Sequence, residues 1–498
     1  MVARIPYPVT VPKFYAIASE VATMRFLRSS GLPVPKVYDY SPSSDNAAKT
    51  EYIFMEYIKG TKLSDVWLEP EEADIIPVLR QLVQLESRMM SIPFPAGGSL
   101  YYTDDLEKVA GRKGIPLKDE RFCAAYVVRK EVTAQRGQGT MYATPCLPFA
   151  DLSETTDKSV EETLAATARK ELEYLKQFGR PLLPFQRERR EAYEHKEQSP
   201  SDHVKNLERY LLIASSLIPT NPALHNFRIR HPDLQPSNVI VSRSPDSNQW
   251  EIVGLLDWQH VSVLPMFLLA GIPGRLQNYD DPVSPALVPP SLPANMKELD
   301  ESQQSHEMGL YRCRLVHYHY VKDTEEHNKL HHDACSDPVA IFISRLFDRA
   351  SAPWEGETHE LKTALITATK NWSRLVGEGV PCPVVFEPED LSRTKELDAR
   401  LQLADENFEK CRAMVGFESE TWVSNEHYEM AKALAELLKK PLRPLSLMNC
   451  PFRACVRKDL VRQKHKRVNR LTETFCIIER DHDRGVCTID KGLKIDRG

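Results

Sequence analysis

A histidine, an aspartate and an asparagine stand at fixed spacing in the segment HPDLQPSN, residues 231–238. The carboxylate of Asp233 could accept a proton from a hydroxyl group. Asn238, and Asp257 that follows 24 residues after Asp233, carry hard oxygen atoms, which suit Mg²⁺ better than nitrogen or sulfur atoms would. These residue types offer a proton acceptor and two oxygen ligands that suit Mg²⁺.

Strands on either side of this segment must hold these side chains in place. The apolar run Val239-Ile240-Val241 predicts one strand directly after Asn238, and Ile252–Leu256 predicts a second that ends at Asp257. An apolar helix is predicted before the segment, at Leu207–Leu217. The pattern indicates a loop, a strand and a second loop built around one core.

The start of the chain predicts a small β-rich unit. Val2–Ile5 is typical of a short strand, residues 16–29 of a helix, and Val34–Tyr40 and Tyr52–Tyr57 of two more strands. A helix with Asp74 as its N-cap follows, at residues 74–91. Later helical patterns cover residues 160–178, 299–322, 326–350, 357–374, 389–414 and 425–440. This order favours a two-lobed α+β fold.

The bulk composition is that of a globular protein large enough for two to four domains. The chain has 498 residues, of which 42% are hydrophobic and 27% charged. Its 10 cysteines form no C-x-x-C pair, which argues against a zinc framework or a secreted disulfide framework. No apolar run approaches the roughly 20 residues of a spanning helix. The first residues also lack the pattern of a signal or transit peptide, so the sequence as it stands predicts a cytoplasmic protein.

Charge is unevenly distributed along the chain. Residues 451–498 hold 13 Lys and Arg against 7 Asp and Glu, a net charge of +6. Since the net charge of the whole chain is −5, residues 1–450 carry a net charge of −11. An acidic body argues against nucleic-acid binding by that part. The basic residues of the tail could contact anionic lipid or RNA, but we expect a disordered tail or one that arises from the gene model.

The motifs resemble a known family. HPDLQPSNVIV with LLDWQHVSVLP is similar to the aminoglycoside phosphotransferase and choline kinase branch of the protein-kinase-like fold. The wider phrasing, including ARIPYP, SEVATMRFLR, PVPKVYDY, FMEYIKG, QNYDDPVS and APWEG, resembles the fungal altered-inheritance-of-mitochondria 9 family over roughly residues 2–445. The resemblance implies a kinase-like fold, binding of ATP and Mg²⁺, and a mitochondrial location.

Carried over to this sequence, the resemblance implies a role for each motif position. Asp233 is expected to be the catalytic base, His231 to orient the loop, and Asn238 and Asp257 to bind Mg²⁺. The nucleotide would be bound by four further residues: Arg4 in place of the usual phosphate-binding lysine, its partner Glu20, and the hinge residues Glu56 and Tyr57. Arginine keeps the positive charge and can fork onto phosphate oxygens.

Two features depart from the family pattern. Kinases cover the phosphates with a glycine-rich loop that precedes the lysine strand, whereas here three residues precede Arg4. The second departure is the basic tail. We therefore expect a truncated N-terminal lobe at residues 1–58, a C-terminal lobe with the catalytic loop at 59–281, a helical subdomain at 282–448 and an atypical tail at 449–498.

Two functions are compatible with these residues. One is ATP- and Mg²⁺-dependent phosphoryl transfer to a small hydroxyl-bearing molecule, whose identity the motifs do not reveal. The other is a catalytically impaired pseudokinase that binds a partner, because without the glycine-rich loop the phosphates would lie exposed to water. Acidic residues such as Glu301, Glu355 and Glu357 could hold a cationic acceptor.

Other residues invite functional readings that we consider weaker. Five histidines could suggest a metal site, but satisfied or solvated side chains are the expectation for His317, His319, His327, His331 and His332. Four tryptophans are expected to anchor the core: Trp258, Trp354, Trp372 and Trp422.

Overall fold

The protein is an α+β structure in which several small antiparallel sheets are combined with long helices, as the sequence predicts. The computed structural model describes residues 1–6, 13–67, 72–111, 113–125, 159–186, 188–415, 474–480 and 487–490. Among these residues, none of the helices combines the length and the apolar character needed to cross a bilayer.

The N-terminal sheet has five strands in the order β13-β12-β1-β3-β2. The strands are β1 (Val2–Ile5), β2 (Val37–Ser41), β3 (Tyr52–Met55), β12 (Thr474–Arg480) and β13 (Cys487–Asp490). Strand β1 lies in the middle, with β12 and β3 paired antiparallel on its two sides. Two segments of the tail that we expected to be disordered or artefactual are therefore strands in this structure.

Helix α1 (Lys13–Ser29) packs its apolar face against this sheet. Val21 and Leu27 are fully buried, in one cluster with Ile53 of β3. A second sheet, with strands β5 (Ser99–Tyr102), β6 (Ile115–Pro116) and β7 (Phe122–Ala125) and the short helix α4 (Thr103–Ala110), also contacts α1, and Tyr15 meets Tyr101 edge to face. Helix α1 is thus packed against two sheets.

A third sheet carries the strands that flank the predicted site. Its order is β10-β9-β4, with β4 (Thr61–Lys62), β9 (Val239–Arg243) and β10 (Trp250–Leu255). Helices α2 (Leu63–Val66) and α3 (Glu72–Met90) follow β4. Gly60 takes a φ of +154°, and a Cβ there would lie 2.6 Å from the Val241 oxygen, so the approach of this segment to β9 requires glycine.

Strands β8 (Phe227–Ile229) and β11 (Val263–Pro265) form a two-stranded antiparallel sheet on the other side of the site. Since β8 leads into residues 231–238 and β11 follows Asp257, both ends of the predicted site are tied to one ladder. Reciprocal bonds between Gly98 and Val263 join this ladder to the segment before β5.

The described chain from residue 159 onwards is rich in helices, most of which pack around a second apolar core, whereas Val316 and Tyr320 belong to the first core. Its helices are α5 (Val160–Phe178), α6 (Pro200–Ile213), α7 (Met266–Leu269), α8 (Glu301–His327), α9 (Lys329–Ser336), α10 (Pro338–Ser351), α11 (His359–Lys370), α12 (Trp372–Val376) and α13 (Pro388–Val415). The predicted tryptophan anchors Trp258, Trp354 and Trp372 are buried. Trp422 and the predicted helix at 425–440 lie outside the described residues.

Two predicted helices are interrupted, and residues 326–327 of one belong to the end of α8, which Asn328 separates from α9. Residues 326–350 break at Asp337, whose side chain caps the next helix by accepting from Val339 N at 2.9 Å, and Pro338 occupies the first helical position. Residues 357–374 break at Asn371, which separates α11 from α12. The predicted strand Val34–Tyr40 begins only at Val37, because Pro33 and Pro35 have no N–H group to donate to a ladder.

Candidate functional site

The loop at residues 231–238 connects β8 to β9 and is anchored at its first residue. His231 is buried, and its Nε2–H group donates to the backbone oxygen of Leu256 at 2.8 Å, while Nδ1 accepts from the backbone N–H of Asp233 at 3.1 Å. Burial lowers the pKa of His231 below its ordinary value, against the smaller opposing effect of the Leu256 contact. A neutral imidazole with this tautomer satisfies both bonds, so His231 couples the loop to the segment before Asp257.

The carboxylate of Asp233 is oriented by two amide groups. Its Oδ2 atom accepts from Gln235 Nε2 at 2.6 Å and from Asn238 Nδ2 at 3.2 Å. Both donors lie on the same side of the carboxylate. The second oxygen, Oδ1, makes no hydrogen bond in the described part of the chain, and it is the atom that an incoming hydroxyl group could reach.

Asn238 and Asp257 are brought side by side by the backbone. The backbone N–H group of Leu256 donates to the backbone oxygen of Asn238 at 2.8 Å, and the backbone oxygen of Leu256 accepts from His231. The residue before Asp257 is therefore bonded to both Asn238 and His231. The side-chain Nδ2–H group of Asn238 donates to the backbone oxygen of Asp233 at 2.8 Å. Because the side-chain nitrogen makes that bond, the Asn238 Oδ1 atom is available to coordinate a cation.

This donor set fits a hard divalent cation. One carboxylate and one amide oxygen, at neighbouring positions and partly open to solvent, are the kind of ligands with which Mg²⁺ is held together with substrate phosphates. Asp257 takes a left-handed backbone conformation, with φ of 64°, and His260 does so too, at 62°. Such conformations cost about 1–3 kcal/mol for residues other than glycine and concentrate at functional sites.

Arg4, on the central strand β1, reaches across to the same place. Its guanidinium forms an ion pair with Glu20 of α1, and its Nη2 atom lies 3.3 Å from Asp257 Oδ1 and 3.0 Å from Gln259 Oε1. Arg4 and Glu20 are 2% and 4% exposed, and Asp257 is 31% exposed, so the charges meet at the boundary between interior and solvent. Arg4, near the start of the chain, and Asp257 thus belong to one cluster.

The predicted hinge residues are placed differently. The Glu56 side chain accepts from Arg28 Nη1 at 3.0 Å and from the Lys36 N–H at 2.9 Å, and its backbone N–H donates to the Lys36 oxygen. Tyr57 is half exposed. Among the bonds of the described residues, none joins Glu56 or Tyr57 to Asp233, Asn238 or Asp257.

A buried ionic cluster supports the loop from behind. Arg230, directly before His231, donates to Glu86 of α3 at 2.6 Å and to the backbone oxygens of Leu269 at 2.8 Å and Gly271 at 2.7 Å. The Tyr320 hydroxyl donates to the other Glu86 oxygen at 2.5 Å. Burial would raise the pKa of Glu86, but Arg230, His331 and the Tyr320 hydroxyl together hold that pKa below its ordinary value. The cluster therefore keeps a charged pair in the interior.

Sequence reasoning missed several of these partners. Gln235 and Gln259 lie two residues after Asp233 and Asp257, so their position beside the motif acids was the available signal. The pairing of Arg230 with Glu86 spans 144 positions and leaves no local pattern. The roles expected for the motif residues stay predictions, although their geometry is compatible with those roles.

Several other candidate residues have partners away from Asp233, Asn238 and Asp257. His331 is buried with Nε2 at the Gly271 backbone, but its Nδ1 lies 3.8 Å from Glu86 and has no hydrogen-bond partner among the described residues. His317 accepts from the Asn278 N–H group at 3.2 Å. His327 lies near Asp323 and Glu326, with ligand atoms within 4.8 Å, but Asp323 already pairs with Arg80. Glu357 is paired with Arg189.

The comparison with protein families matches just over half of the chain. Residues 1–267 match the family described as the phosphotransferase enzyme family. The matched region runs from β1, with Arg4, past Asp257 and contains all the predicted site residues.

Several fungal proteins are similar to the chain. A subtelomeric hrmA-associated cluster protein of Aspergillus fumigatus is 29% identical over 418 residues, which cover 78% of each chain. The mitochondrial altered inheritance of mitochondria protein 9 is 26% identical in Clavispora lusitaniae, over 63% of this chain and 52% of that protein. In Zygosaccharomyces rouxii it is 26% identical, over 79% of this chain and 65% of that protein. The resemblance that the motifs indicated is confirmed, and no solved structure matches the chain.

Proposed function

The chain belongs to the phosphotransferase enzyme family, and on that premise we propose that it transfers the γ-phosphoryl group of ATP to a hydroxyl group of a small molecule. The observation that carries the proposal is the convergence of Asp233, Asn238, Asp257 and Arg4 on one cluster. Proton acceptor, metal ligands and phosphate-binding cation are the parts that phosphoryl transfer requires.

Asp233 is proposed to accept the proton of the attacking hydroxyl group. Gln235 and Asn238 hold one oxygen of its carboxylate, which directs the other oxygen towards the acceptor. His231 stays neutral and keeps the loop in register with the strand before Asp257. Asn238 and Asp257 would hold Mg²⁺, which when bound supplies positive charge to the β- and γ-phosphates.

Arg4 is proposed to bind the phosphates and Glu20 to hold Arg4. The arginine can present two parallel N–H groups to phosphate oxygens, which a lysine cannot do. The backbone at Glu56 and Tyr57 is proposed to meet the adenine ring. In this arrangement, a smaller lobe at residues 1–58 and a larger lobe at 59–281 enclose the nucleotide, and residues 282–448 contribute the acceptor site. A mitochondrial location is proposed from the names of the yeast relatives.

ADP formation from MgATP tests the proposal directly, with water as the acceptor while the natural one is unidentified. We expect slow turnover by the wild-type protein and a loss of at least about a hundredfold in Asp233→Asn, which removes the base but keeps the shape. Asp246→Asn, the same change at an exposed aspartate between β9 and β10, serves as the control and should leave the rate unchanged. Equal rates for Asp233→Asn and wild type would reject the role of Asp233.

One observation favours a second candidate, a pseudokinase that binds a partner and does not turn over ATP. In the free protein, Arg4 already contacts Glu20, Asp257 and Gln259, so its phosphate-binding groups are engaged. ATP consumption that disappears in Asp233→Asn rejects this candidate. Absence of any ADP above the enzyme-free rate, with the protein folded, would support it.

A further inference from the structure

Both oxygens of Asp257 have contacts within the protein. Oδ1 lies 3.3 Å from Arg4 Nη2, and Oδ2 lies 3.5 Å from Gln259 Nε2. Gln259 also accepts from Arg4 at 3.0 Å through its Oε1 atom. Arg4, Asp257 and Gln259 therefore form a closed triangle in which a guanidinium is the cation nearest to the carboxylate.

A divalent ion and Arg4 would compete for this carboxylate. Both carry positive charge, both are attracted by the same oxygen, and each raises the cost of placing the other beside it. Arg4 cannot simply swing into solvent, because it is almost fully buried and paired with Glu20. Only a new set of negative oxygen atoms close to β1 would compensate the guanidinium for the loss of Asp257.

We propose that Arg4 acts as an internal cation that blocks metal binding by the free protein, and that nucleotide phosphates release this block by drawing Arg4 and its hydrogen bonds onto themselves. This inference rests on the proposed function. Metal and nucleotide are then expected to bind tightly only when both are present. By linkage, the factor by which the nucleotide tightens the metal equals the factor by which the metal tightens the nucleotide.

Gln259 has a distinct part in this arrangement. As a neutral side chain that accepts from Arg4 and donates towards Asp257, it holds the guanidinium at the carboxylate when no phosphate is present. Gln259→Leu keeps a similar volume at a half-buried position. This variant should bind metal in the free state more tightly than wild type, by a smaller factor than removal of Arg4 itself.

The test measures Mn²⁺ affinity by electron paramagnetic resonance, with and without the non-hydrolysable analogue AMP-PNP. The main variant, Arg4→Met/Glu20→Gln, removes the guanidinium without leaving a lone buried carboxylate and without changing the net charge. Arg243→Met/Asp74→Asn makes the same paired change at a surface ion pair of 3.0 Å and is the matched control. Arg4→Lys keeps the charge but cannot reach Glu20 and Asp257 with the same fork.

In wild type and in the control, we expect weak Mn²⁺ binding that AMP-PNP tightens at least tenfold. In Arg4→Met/Glu20→Gln, free-state Mn²⁺ binding should already be at least tenfold tighter than in wild type, and AMP-PNP should tighten it by a smaller factor than in wild type, with Arg4→Lys between the two. Free-state affinities of wild type and double variant within twofold of each other overturn the inference.

The failure of the inference can be separated from that of the proposed function. Asp257→Ala should lose Mn²⁺ binding with AMP-PNP present. If it binds as wild type does, the metal site itself is elsewhere and the proposed function fails. If Asp257→Ala loses binding and the double variant gains none, the site stands and only the competition by Arg4 is wrong.

Discussion

Removing Arg230 should destabilise the protein strongly, because it would strand a carboxylate in the interior. The Glu86 side chain is fully buried, with Arg230 on one oxygen at 2.6 Å and the Tyr320 hydroxyl on the other at 2.5 Å. In Arg230→Met the methionine fills much of the volume, but Glu86 keeps only the Tyr320 hydroxyl and the His331 ring at 3.8 Å. The Leu269 oxygen loses its donor, whereas the Gly271 oxygen keeps the His331 Nε2 contact at 3.1 Å.

The magnitude follows from these contacts. Breaking a buried ion pair by removing one partner typically costs about 3–5 kcal/mol, and the part-buried Leu269 carbonyl left without a donor adds on the order of 1 kcal/mol. We expect the free energy of unfolding at pH 7 to fall by about 4–6 kcal/mol. The loss should shrink as the pH falls, because the variant raises the pKa of Glu86 and protonation then removes the stranded charge.

Urea unfolding followed by tryptophan fluorescence measures this free energy. Arg230→Met/Glu86→Gln removes the stranded charge and should recover about half of the loss, which makes the two changes strongly non-additive. Arg121→Met, at a surface pair in which the arginine is 73% exposed, should leave the free energy of unfolding nearly unchanged. A loss below about 1 kcal/mol in Arg230→Met, or one unaffected by Glu86→Gln, would show that removing Arg230 does not leave an uncompensated charge on Glu86.

Two further predictions concern stability. Burial lowers the pKa of His203 to about 4, so below about pH 6.5 the unfolded chain binds a proton that the folded protein does not. The free energy of unfolding should therefore fall by about 3 kcal/mol in total between about pH 6.5 and pH 4. His203→Gln should lack this part of the acid loss, and parallel stability curves from pH 7 to 4 would contradict it. Gly60→Ala should lower the Tm because its Cβ meets Val241 O, whereas Gly274→Ala, with open space, should not; equal Tm values for the two variants would count against a requirement for glycine at residue 60.

Local signals in the sequence were sufficient for most elements around the site. The strand Val2–Ile5, the helix Val160–Phe178 and the strands on either side of the catalytic-looking loop follow from apolar periodicity and turn residues. The division of residues 326–350 was also encoded, since an aspartate followed by proline is a helix start signal. There, continuous apolar spacing across the break hid the cap.

The site was predictable only where it follows a contiguous motif. The Asn238 side chain bonds to the Asp233 backbone and the Asn238 backbone to Leu256, directly before Asp257, so the neighbourhood of these residues could be inferred from spacing. The contact of Arg4 with Asp257 spans 253 positions and that of Arg230 with Glu86 spans 144, so they depend on how sheets and helices pack. The competition between Arg4 and a metal ion is visible only once those distances are known.

If Arg4, Asn238 and Asp257 belong to one nucleotide site, MgATP should stabilise the folded protein, and a thermal-shift titration measures this stabilisation. For the wild-type protein we predict a Tm that rises with MgATP concentration, as mass action requires for a ligand of the folded state. Asp257→Ala, compared at the same concentrations, should show little or no rise. A folded wild-type protein whose Tm does not respond to MgATP, or an Asp257→Ala variant that responds equally, would contradict the assignment of these residues to one nucleotide site.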